Sequence, residues 1–260
     1  MPAIVIIPSR YASSRFPGKP LCLLSGRPMI QHVYERAKEA SLVRDVFAAT
    51  DSKLIYDAVE GFGGKAIMTS DVHPSGTDRI AEAVEKIQAT GYRLEATDII
   101  VNVQGDEPLI HPQMIDDVIR VMDDERAFIG TLAKRIDDME EITDPNVVKV
   151  VFNEEGFALY FSRSPIPYHR DAWKDLKHLT VHGSQFTVFK HIGIYAYRKD
   201  ILLKISKMHP TRLEEIEKLE QLRALENGFR IKVKETGFET IGVDTPMDVE
   251  RVEKCLSISL

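Results

Sequence analysis

The chain has 260 residues, of which 43% are hydrophobic, and its 34 basic and 40 acidic side chains give a net charge of −6. This balance is typical of a globular protein of one or two domains and excludes a disordered tail, while the negative charge argues against a dedicated nucleic-acid binder. Two widely separated cysteines, Cys22 and Cys255, form neither a disulfide framework nor a metal-site spacing. The first ten residues do not resemble a signal peptide, and no apolar run approaches the roughly 20 residues that cross a bilayer. We therefore expect a soluble, cytoplasmic protein.

Short apolar runs alternate with segments of helical periodicity through the first half of the chain. Strands are predicted at residues 3–7, 45–49, 65–68 and 99–103, because these runs are brief and rich in apolar residues. Helices are predicted at residues 28–40, 77–88 and 112–122, where apolar side chains recur on one face. Repeated alternation of strand and helix predicts right-handed crossovers and a doubly wound α/β sheet.

The second half is mixed. It predicts a hairpin at residues 146–152 and 157–161, a long strand at 186–197, one helix at 211–227 and a last helix of about ten residues that begins at Pro246. No linker or repeat divides the chain. We therefore expect one domain, residues 1–260, with a mostly parallel mixed sheet flanked by helices and a small sub-lobe or lid near residues 160–200.

The loop after the first strand, residues 8–20, carries the cations Arg10, Arg15 and Lys19, and residues 1–34 contain no acidic side chain. A strand-to-helix loop at the crevice of an open α/β sheet is where ligands bind, and spaced cations suit a polyphosphate. The alternative is a solvated basic loop. Since the loop lacks both a GxGxxG fingerprint and a P-loop, a dinucleotide or a Walker-type site is not expected.

A second polar segment, 101–108, reads VNVQGDEP, and Asp106 follows a strand that faces the same crevice. A carboxylate beside a triphosphate is the usual ligand of Mg²⁺, which takes one or two protein carboxylates. Asp244 lies at another strand-to-helix junction and is the natural second ligand. Its sequence, Asp-Thr-Pro, is equally typical of a helix N-cap, so both interpretations of Asp244 stay open.

Two further segments carry polar side chains at places where a ligand could lie. Ser75, Thr77 and Arg79 lie between a strand and a helix, where they could contact a base or ribose or, for the first two, cap the helix. Helical spacing places Glu220 on the apolar stripe of its predicted helix, beside Gln221. A carboxylate there is costly unless it is paired or meets a ligand, so a polyol site and a buried salt bridge are both possible.

Eight segments, in chain order, are typical of one enzyme family. They are IPSRYASSRFPGKPL (7–21), ATDS (49–52), SGTDR (75–79), VNVQGDEP (101–108), FSRSPIP (161–167), HIGIYAYR (191–198), EKLEQLR (217–223) and GVDTP (242–246). The chain resembles the 3-deoxy-manno-octulosonate cytidylyltransferases over nearly its whole length. The resemblance implies a nucleotidyltransferase fold of the nucleotide-diphospho-sugar transferase type, a cytoplasmic homodimer and Mg²⁺ dependence. It also implies transfer of CMP from CTP to 3-deoxy-manno-octulosonate (Kdo), with release of pyrophosphate, in lipopolysaccharide synthesis.

The resemblance also implies roles for individual residues. It places Arg10, Arg15 and Lys19 on the triphosphate, and Ser75, Thr77 and Arg79 near the cytidine. It makes Asp106 and Asp244 the ligands of Mg²⁺ and, with Lys19, the catalytic residues. It gives the sugar acid a pocket lined by Gln104, Arg163, His191, Tyr195, Glu220 and Gln221, in which Gln104 also contacts CTP and Arg163 pairs with the sugar carboxylate.

The nearest rival is another nucleotidylyltransferase, for a sialic acid or a sugar 1-phosphate, but those families usually have a glycine-rich loop after the first strand, where this chain has Ser13, Ser14 and Arg15. Three other functions remain as alternatives. One is a cytidylyltransferase for a related sugar acid such as 8-amino-Kdo, because the motifs do not distinguish a hydroxyl from an amine at C8. Another is a glycosyltransferase with a related sheet, which usually carries a DxD motif. The last is a nucleotide-sensing module, which would bind CTP without releasing pyrophosphate. Most of the segment 168–189 matches none of the motifs and is assigned to a lid or a dimer surface.

Overall fold

The computed structural model describes residues 3–12, 16–73, 75–170, 173 and 187–258. The strands are β1 (Ala3–Ser9), β2 (Leu23–Leu24), β3 (Arg27–Pro28), β4 (Val43–Thr50), β5 (Ala66–Met68), β6 (Ile99–Asn102), β7 (Ile129–Arg135), β8 (Lys149–Phe152), β9 (Ala158–Ser162), β10 (Phe189–Arg198) and β11 (Ile231–Glu235). The helices are α1 (Met29–Glu39), α2 (Lys53–Gly61), α3 (Gly76–Ala89), α4 (Pro112–Val121), α5 (Met139–Thr143), α6 (Lys199–Ile205), α7 (Arg212–Glu217), α8 (Gln221–Glu226) and α9 (Pro246–Ile258), and a 3-10 helix spans Lys19–Leu21.

Across the described residues, nine strands form one mixed sheet, whose main path runs β11-β7-β10-β6-β1-β4-β5. Strands β6, β1, β4 and β5 are parallel, and β11 is parallel to β7. The antiparallel strand β10 joins the two parallel groups, and β8 and β9 form a hairpin at its start. The predicted mixed α/β sheet and the predicted hairpin are thereby confirmed.

Both faces of the sheet are covered, which explains why its strands are continuous apolar runs. Along β1, Val5 and Ile7 pack with α1, α2 and α4 in one core, whereas Ile4 and Ile6 pack with α3, α6 and α8 in another. A smaller third cluster joins β2 and the start of α1 to α9. It consists of Leu24, Met29, Val243, Val252 and Leu256.

The binding crevice follows from this topology. The chain leaves β1 and β4 through helices on one face and then crosses to β6 through α3, which lies on the other face. The carboxyl ends of β1 and β6 therefore open into a crevice. Gly105 lets the two loops meet there, because a Cβ at that position would lie 2.7 Å from Ser9 Oγ and 3.0 Å from the Pro8 carbonyl oxygen.

One predicted element is wrong: residues 211–227 do not form a single helix. Helix α7 ends at Glu217, its C-cap residue Lys218 adopts a left-handed conformation (φ 55°), and α8 begins at Gln221. Within the described chain, Arg223 forms a buried ion pair with Glu214, with donor–acceptor distances of 2.6 and 2.8 Å. Residues nine apart in one helix would be separated by roughly 13 Å along its axis, so this pair requires the break.

The other predicted elements differ mainly at their ends, and several elements were not predicted at all. Strand β10 begins at Phe189, and residue 186 of the predicted strand lies outside the described residues. Helices α5 and α6, the 3-10 helix and strands β2, β3, β7 and β11 had no counterpart in the prediction. Among the described residues, no helix combines the length and the apolar character that a membrane span requires.

Candidate active site

Within the part of the chain that the structure describes, two adjoining cavities open at the crevice. The first, here called the loop cavity, has a volume of about 300 Å³ and is lined by Ser9, Arg10, Lys19, His73, Ser75, Arg79, Gly105, Asp106 and Asp244. The second, here called the sheet cavity, has a volume of about 290 Å³ and is lined by Thr77, Asn102, His191, Tyr195, Tyr197, Lys218, Gln221 and Arg223. Gly76, Gln104 and Glu220 line both cavities. A ligand in one cavity could therefore meet a ligand in the other at this shared wall.

The loop cavity brings Lys19 and the two predicted aspartates together. Lys19 Nζ lies 2.6 Å from Asp106 Oδ2 and 3.4 Å from Asp244 Oδ1. The main chain also ties the two segments, because the Val243 N–H donates to the Asp106 carbonyl oxygen at 2.9 Å. The geometry is that of a cation held between two carboxylates at the carboxyl edge of the sheet.

The capping alternative for Asp244 is settled by Asp248. The Asp248 carboxylate accepts hydrogen bonds from the Asp244 N–H at 3.0 Å, from the Thr245 N–H at 2.8 Å and from Thr245 Oγ1 at 2.9 Å. The first turn of α9 is therefore closed by Asp248. The Asp244 carboxylate instead points toward Lys19.

The SGTDR segment combines capping with a place in the cavities. Ser75 Oγ accepts a hydrogen bond from the Asp78 N–H at 3.2 Å, so Ser75 caps α3 while it lines the loop cavity. Arg79 lines the same cavity, and its buried guanidinium donates to Asp51 and to the Thr69 hydroxyl at 2.7 and 2.6 Å. Thr77 is placed differently from the other two, because it lines only the sheet cavity.

Glu220 lies at the shared wall because the break after α7 turns it inward. Its Oε2 accepts a hydrogen bond of 2.7 Å from the Thr77 hydroxyl. Burial raises the pKa of Glu220, although the Thr77 hydrogen bond opposes that shift. The salt-bridge alternative for Glu220 is not what the structure shows, because the buried ion pair of this segment joins Glu214 and Arg223.

Strand β10 presents His191 and Tyr195 to the sheet cavity. Burial lowers the pKa of His191 to about 3, so the imidazole is neutral near pH 7. The Thr131 hydroxyl donates to the Ile194 carbonyl oxygen at 2.7 Å and contacts His191 Nε2 at 2.9 Å. A hydroxyl whose proton is already used must accept, so Nε2 carries the imidazole proton and Nδ1 is an acceptor. Burial also raises the pKa of Tyr195 well above its usual value, so its hydroxyl stays protonated.

Arg163 requires a correction, because it is not among the described residues that line either cavity. Its Nε donates to the Glu217 carbonyl oxygen at 2.7 Å, its Nη1 to that of Pro145 at 2.8 Å and its Nη2 to that of Lys218 at 3.5 Å. A guanidinium engaged with three backbone carbonyls is not presented to a substrate carboxylate. Arg163 instead supports the turn that carries Glu220.

The remaining predicted residues are placed as follows. Arg10 lines the loop cavity, Gln104 lines both cavities, and Gln221 lies beside Glu220 in the sheet cavity. Arg15 lies outside the described residues, as does most of the segment 168–189. Several lining residues were not predicted, among them His73, Asn102 and Tyr197. Tyr197 could have been found from strand alternation, since it shares a face with Tyr195.

The comparisons with known proteins agree with this geometry. Residues 4–235 match the model of a family described as cytidylyltransferase. The chain is also 54% identical, over 257 residues, to a 3-deoxy-manno-octulosonate cytidylyltransferase of Thermodesulfovibrio yellowstonii, and the match covers 99% of each chain. The chain belongs to this family. A 3-deoxy-manno-octulosonate cytidylyltransferase of Geobacter metallireducens is likewise 54% identical over 258 residues, 99% of this chain and 98% of the relative.

Two solved structures share the fold of this chain. The structure of CMP:2-keto-3-deoxy-manno-octonic acid synthetase complexed with CTP matches with a TM-score of 0.88 and 44% identity over 100% of both chains. A 4-diphosphocytidyl-2C-methyl-D-erythritol synthase matches with a TM-score of 0.64 and 13% identity, over 98% of this chain and 100% of that one. The second likeness concerns the fold alone. The predicted nucleotidyltransferase fold is confirmed.

Proposed function

We propose that the protein transfers CMP from CTP to the anomeric hydroxyl of Kdo, giving CMP-Kdo and pyrophosphate. The observation that carries the proposal is the pair of adjoining cavities, one cationic and acidic, the other lined by hydroxyl and amide groups, with Gln104 and Glu220 in their common wall. The relatives named for this activity and the related synthetase complexed with CTP support the same assignment.

The side chains of the loop cavity suit a nucleoside triphosphate. Arg10 and Lys19 would neutralise its phosphates, and Ser75 and Arg79 would lie near the nucleoside. In the transfer, the anomeric hydroxyl gives up its proton to solvent, and its oxygen bonds to the α-phosphorus of CTP as the bond from that phosphorus to pyrophosphate breaks. Such a transfer depends on positioning and on neutralisation of charge more than on covalent help from the protein. No side chain is assigned as the general base.

Asp106 and Asp244 fit a divalent cation, although among the described residues no cluster of three or more His, Cys, Asp or Glu side chains could hold a metal. Mg²⁺ needs only one or two protein carboxylates when substrate phosphates supply other ligands. The Lys19 ammonium already lies between the two carboxylates, so a positive charge suits this position. Mg²⁺ bound there would neutralise phosphate charge and lower the pKa of the sugar hydroxyl.

The sheet cavity suits a polyhydroxy acid. His191 offers an acceptor at Nδ1, Tyr195 offers a hydroxyl, and Gln104, Glu220 and Gln221 offer amide and carboxyl groups. Hydrogen bonds from such a set can orient a sugar so that its anomeric hydroxyl faces the shared wall. The Arg163 carboxylate contact that the resemblance implies is not part of this proposal, because the guanidinium is engaged elsewhere.

The test is release of pyrophosphate from CTP with Mg²⁺, measured with and without Kdo and, in parallel, with 8-amino-Kdo. Release that requires both CTP and Kdo supports the proposal. CTP binding without release on either sugar would favour a nucleotide-sensing module. A strong preference for the amino sugar would favour the related cytidylyltransferase activity.

The wider biological setting rests on the same resemblance. We propose a cytoplasmic homodimer that supplies an activated sugar for lipopolysaccharide synthesis. Light scattering on a gel-filtration column tests the dimer, and a mass near that of one chain at working concentration would contradict it.

A further inference from the structure

Asn102 is a polar residue at the end of strand β6, whose other three residues are apolar. Successive residues of a strand face opposite sides of the sheet. On β6, Ile99 and Val101 pack in one core, and Ile100 packs in the other. Asn102 follows Ile100 on that second face, and only 3% of its surface is exposed. An amide buried there needs hydrogen-bond partners.

The side-chain amide oxygen of Asn102, Oδ1, has no such partner among the described residues, since none of them donates a hydrogen bond to it. Likewise, none of the described residues accepts a hydrogen bond from Gln221 Nε2. Both residues line the sheet cavity, and Gln221 is also buried. A buried polar atom without a partner destabilises the folded protein, because the atom loses its hydrogen bonds to water and gains none in return. Packing alone therefore does not explain an asparagine at this position. The described residues that line the cavity thus include an acceptor, Asn102 Oδ1, and a donor, Gln221 Nε2, that no protein group uses.

The position of Asn102 along β6 indicates which part of a sugar it would meet. Gln104 lines both cavities, whereas Asn102, two residues earlier, lines only the sheet cavity. Asn102 is the last residue of β6, and two residues of extended chain span up to roughly 6.6 Å. Asn102 therefore lies on the sheet-cavity side of the shared wall, at which the anomeric carbon would react.

From this we infer that Asn102 is a specificity-determining residue that accepts a hydrogen bond from a hydroxyl on the exocyclic C7–C8 tail of the sugar acid. The inference rests on the proposed function and deepens it. It adds a residue of the sheet cavity that contacts substrate at its end remote from the reacting carbon. Gln221 Nε2 would donate to a sugar oxygen in the same cavity.

The test compares Asn102→Leu with wild type in KM for Kdo, KM for CTP and Tm. Leucine has the same branched outline and the same number of heavy atoms, but it has no hydrogen-bonding group. We expect KM for Kdo to rise by about tenfold, as loss of one hydrogen bond to the substrate predicts, while KM for CTP changes less than about twofold. We also expect Tm to rise by about 2 °C, because an orphaned polar atom is removed. A structural role predicts the opposite pattern, a lower Tm with both KM values unchanged, and that result would overturn the inference.

Ile100→Val is the matched control, since Ile100 lies on the same strand and face but lines neither cavity among the described residues. It should lower Tm and leave both KM values unchanged. If Asn102→Leu does not fold, wild type assayed with 7-deoxy and 8-deoxy analogues of Kdo decides. If both analogues have the same KM as Kdo, the inference is overturned. Normal turnover of Kdo in the same assay still supports the proposed function. No turnover of Kdo by wild type overturns both.

Discussion

Arg163 either binds the carboxylate of the sugar acid, as the sequence motif predicts, or supports the turn that carries Glu220, as the structure indicates. The variant Arg163→Ala distinguishes these two roles. The structure gives its guanidinium two good hydrogen bonds, of 2.7 and 2.8 Å, and a weak one of 3.5 Å, all to backbone carbonyls. Hydrogen bonds to a charged group contribute most when buried, and Arg163 is only partly buried, so we expect a loss of about 2 kcal/mol in the free energy of unfolding. For a chain of this size the loss lowers Tm by about 4–8 °C.

The assay is thermal unfolding in parallel with turnover at varied Kdo. Because Glu220 depends on the turn that Arg163 supports, kcat should fall together with Tm, and Arg163→Lys should recover little, since one ammonium cannot reach all three carbonyls. Arg93→Ala, at an arginine whose side chain is 90% exposed, controls for loss of a surface charge and should leave Tm unchanged. A raised KM for Kdo with an unchanged Tm would refute this reasoning and restore the direct contact with the sugar carboxylate.

Three further predictions concern the two cavities. Asp106→Ala or Asp244→Ala should leave Tm nearly unchanged but lower turnover about 10²-fold or more, because the charge that suits a cation is lost; wild-type rates in pyrophosphate release would contradict the metal assignment. Arg79→Met should lower the free energy of unfolding in urea by about 2–3 kcal/mol, because Asp51, whose side chain is 13% exposed, loses its ion-pair partner. Adding Asp51→Leu should recover much of that loss, and an additive loss would argue against the pair. The pKa of His191 is lowered to about 3 in the folded protein. As pH falls, the unfolded chain therefore binds a proton at His191 before the folded protein does. The stability that this histidine contributes is complete above about pH 6.5 and is lost as pH falls toward 3. His191→Gln should therefore flatten the fall of Tm between pH 7 and 5, and identical profiles would show that His191 does not contribute.

The parts of the fold that the sequence predicted are those with a local signal. Buried parallel strands leave short apolar runs, so β1, β4 and β6 were found within two residues at each end. Asp106 and Asp244 were predicted to face the same crevice, and Lys19 Nζ contacts both carboxylates. Asp244 was expected at a strand-to-helix junction, but residues 236–244 form no strand. The role of the two aspartates as metal ligands stays a prediction.

The parts that were missed depend on contacts between distant residues. Helical periodicity continues through Lys218, and nothing local announces that Glu214 and Arg223 will pair across a break. Arg163 carries a motif suited to a carboxylate, and only the fold shows that the Pro145, Glu217 and Lys218 carbonyls use its donors. Asn102 has a local signal, because its amide lies on an otherwise apolar strand face, but it was not among the predicted site residues.

The third apolar cluster has a consequence for how activity is lost on heating. Asp106 follows a central strand of the sheet, whereas Asp244 precedes α9, which is held through Leu24, Met29, Val243, Val252 and Leu256. The two carboxylates thus belong to packing units of very different size, and small units open at lower free energy than the global transition. Release of α9 would part the pair while the sheet stays folded. The enzyme should therefore become inactive, reversibly, at temperatures where its sheet is still intact.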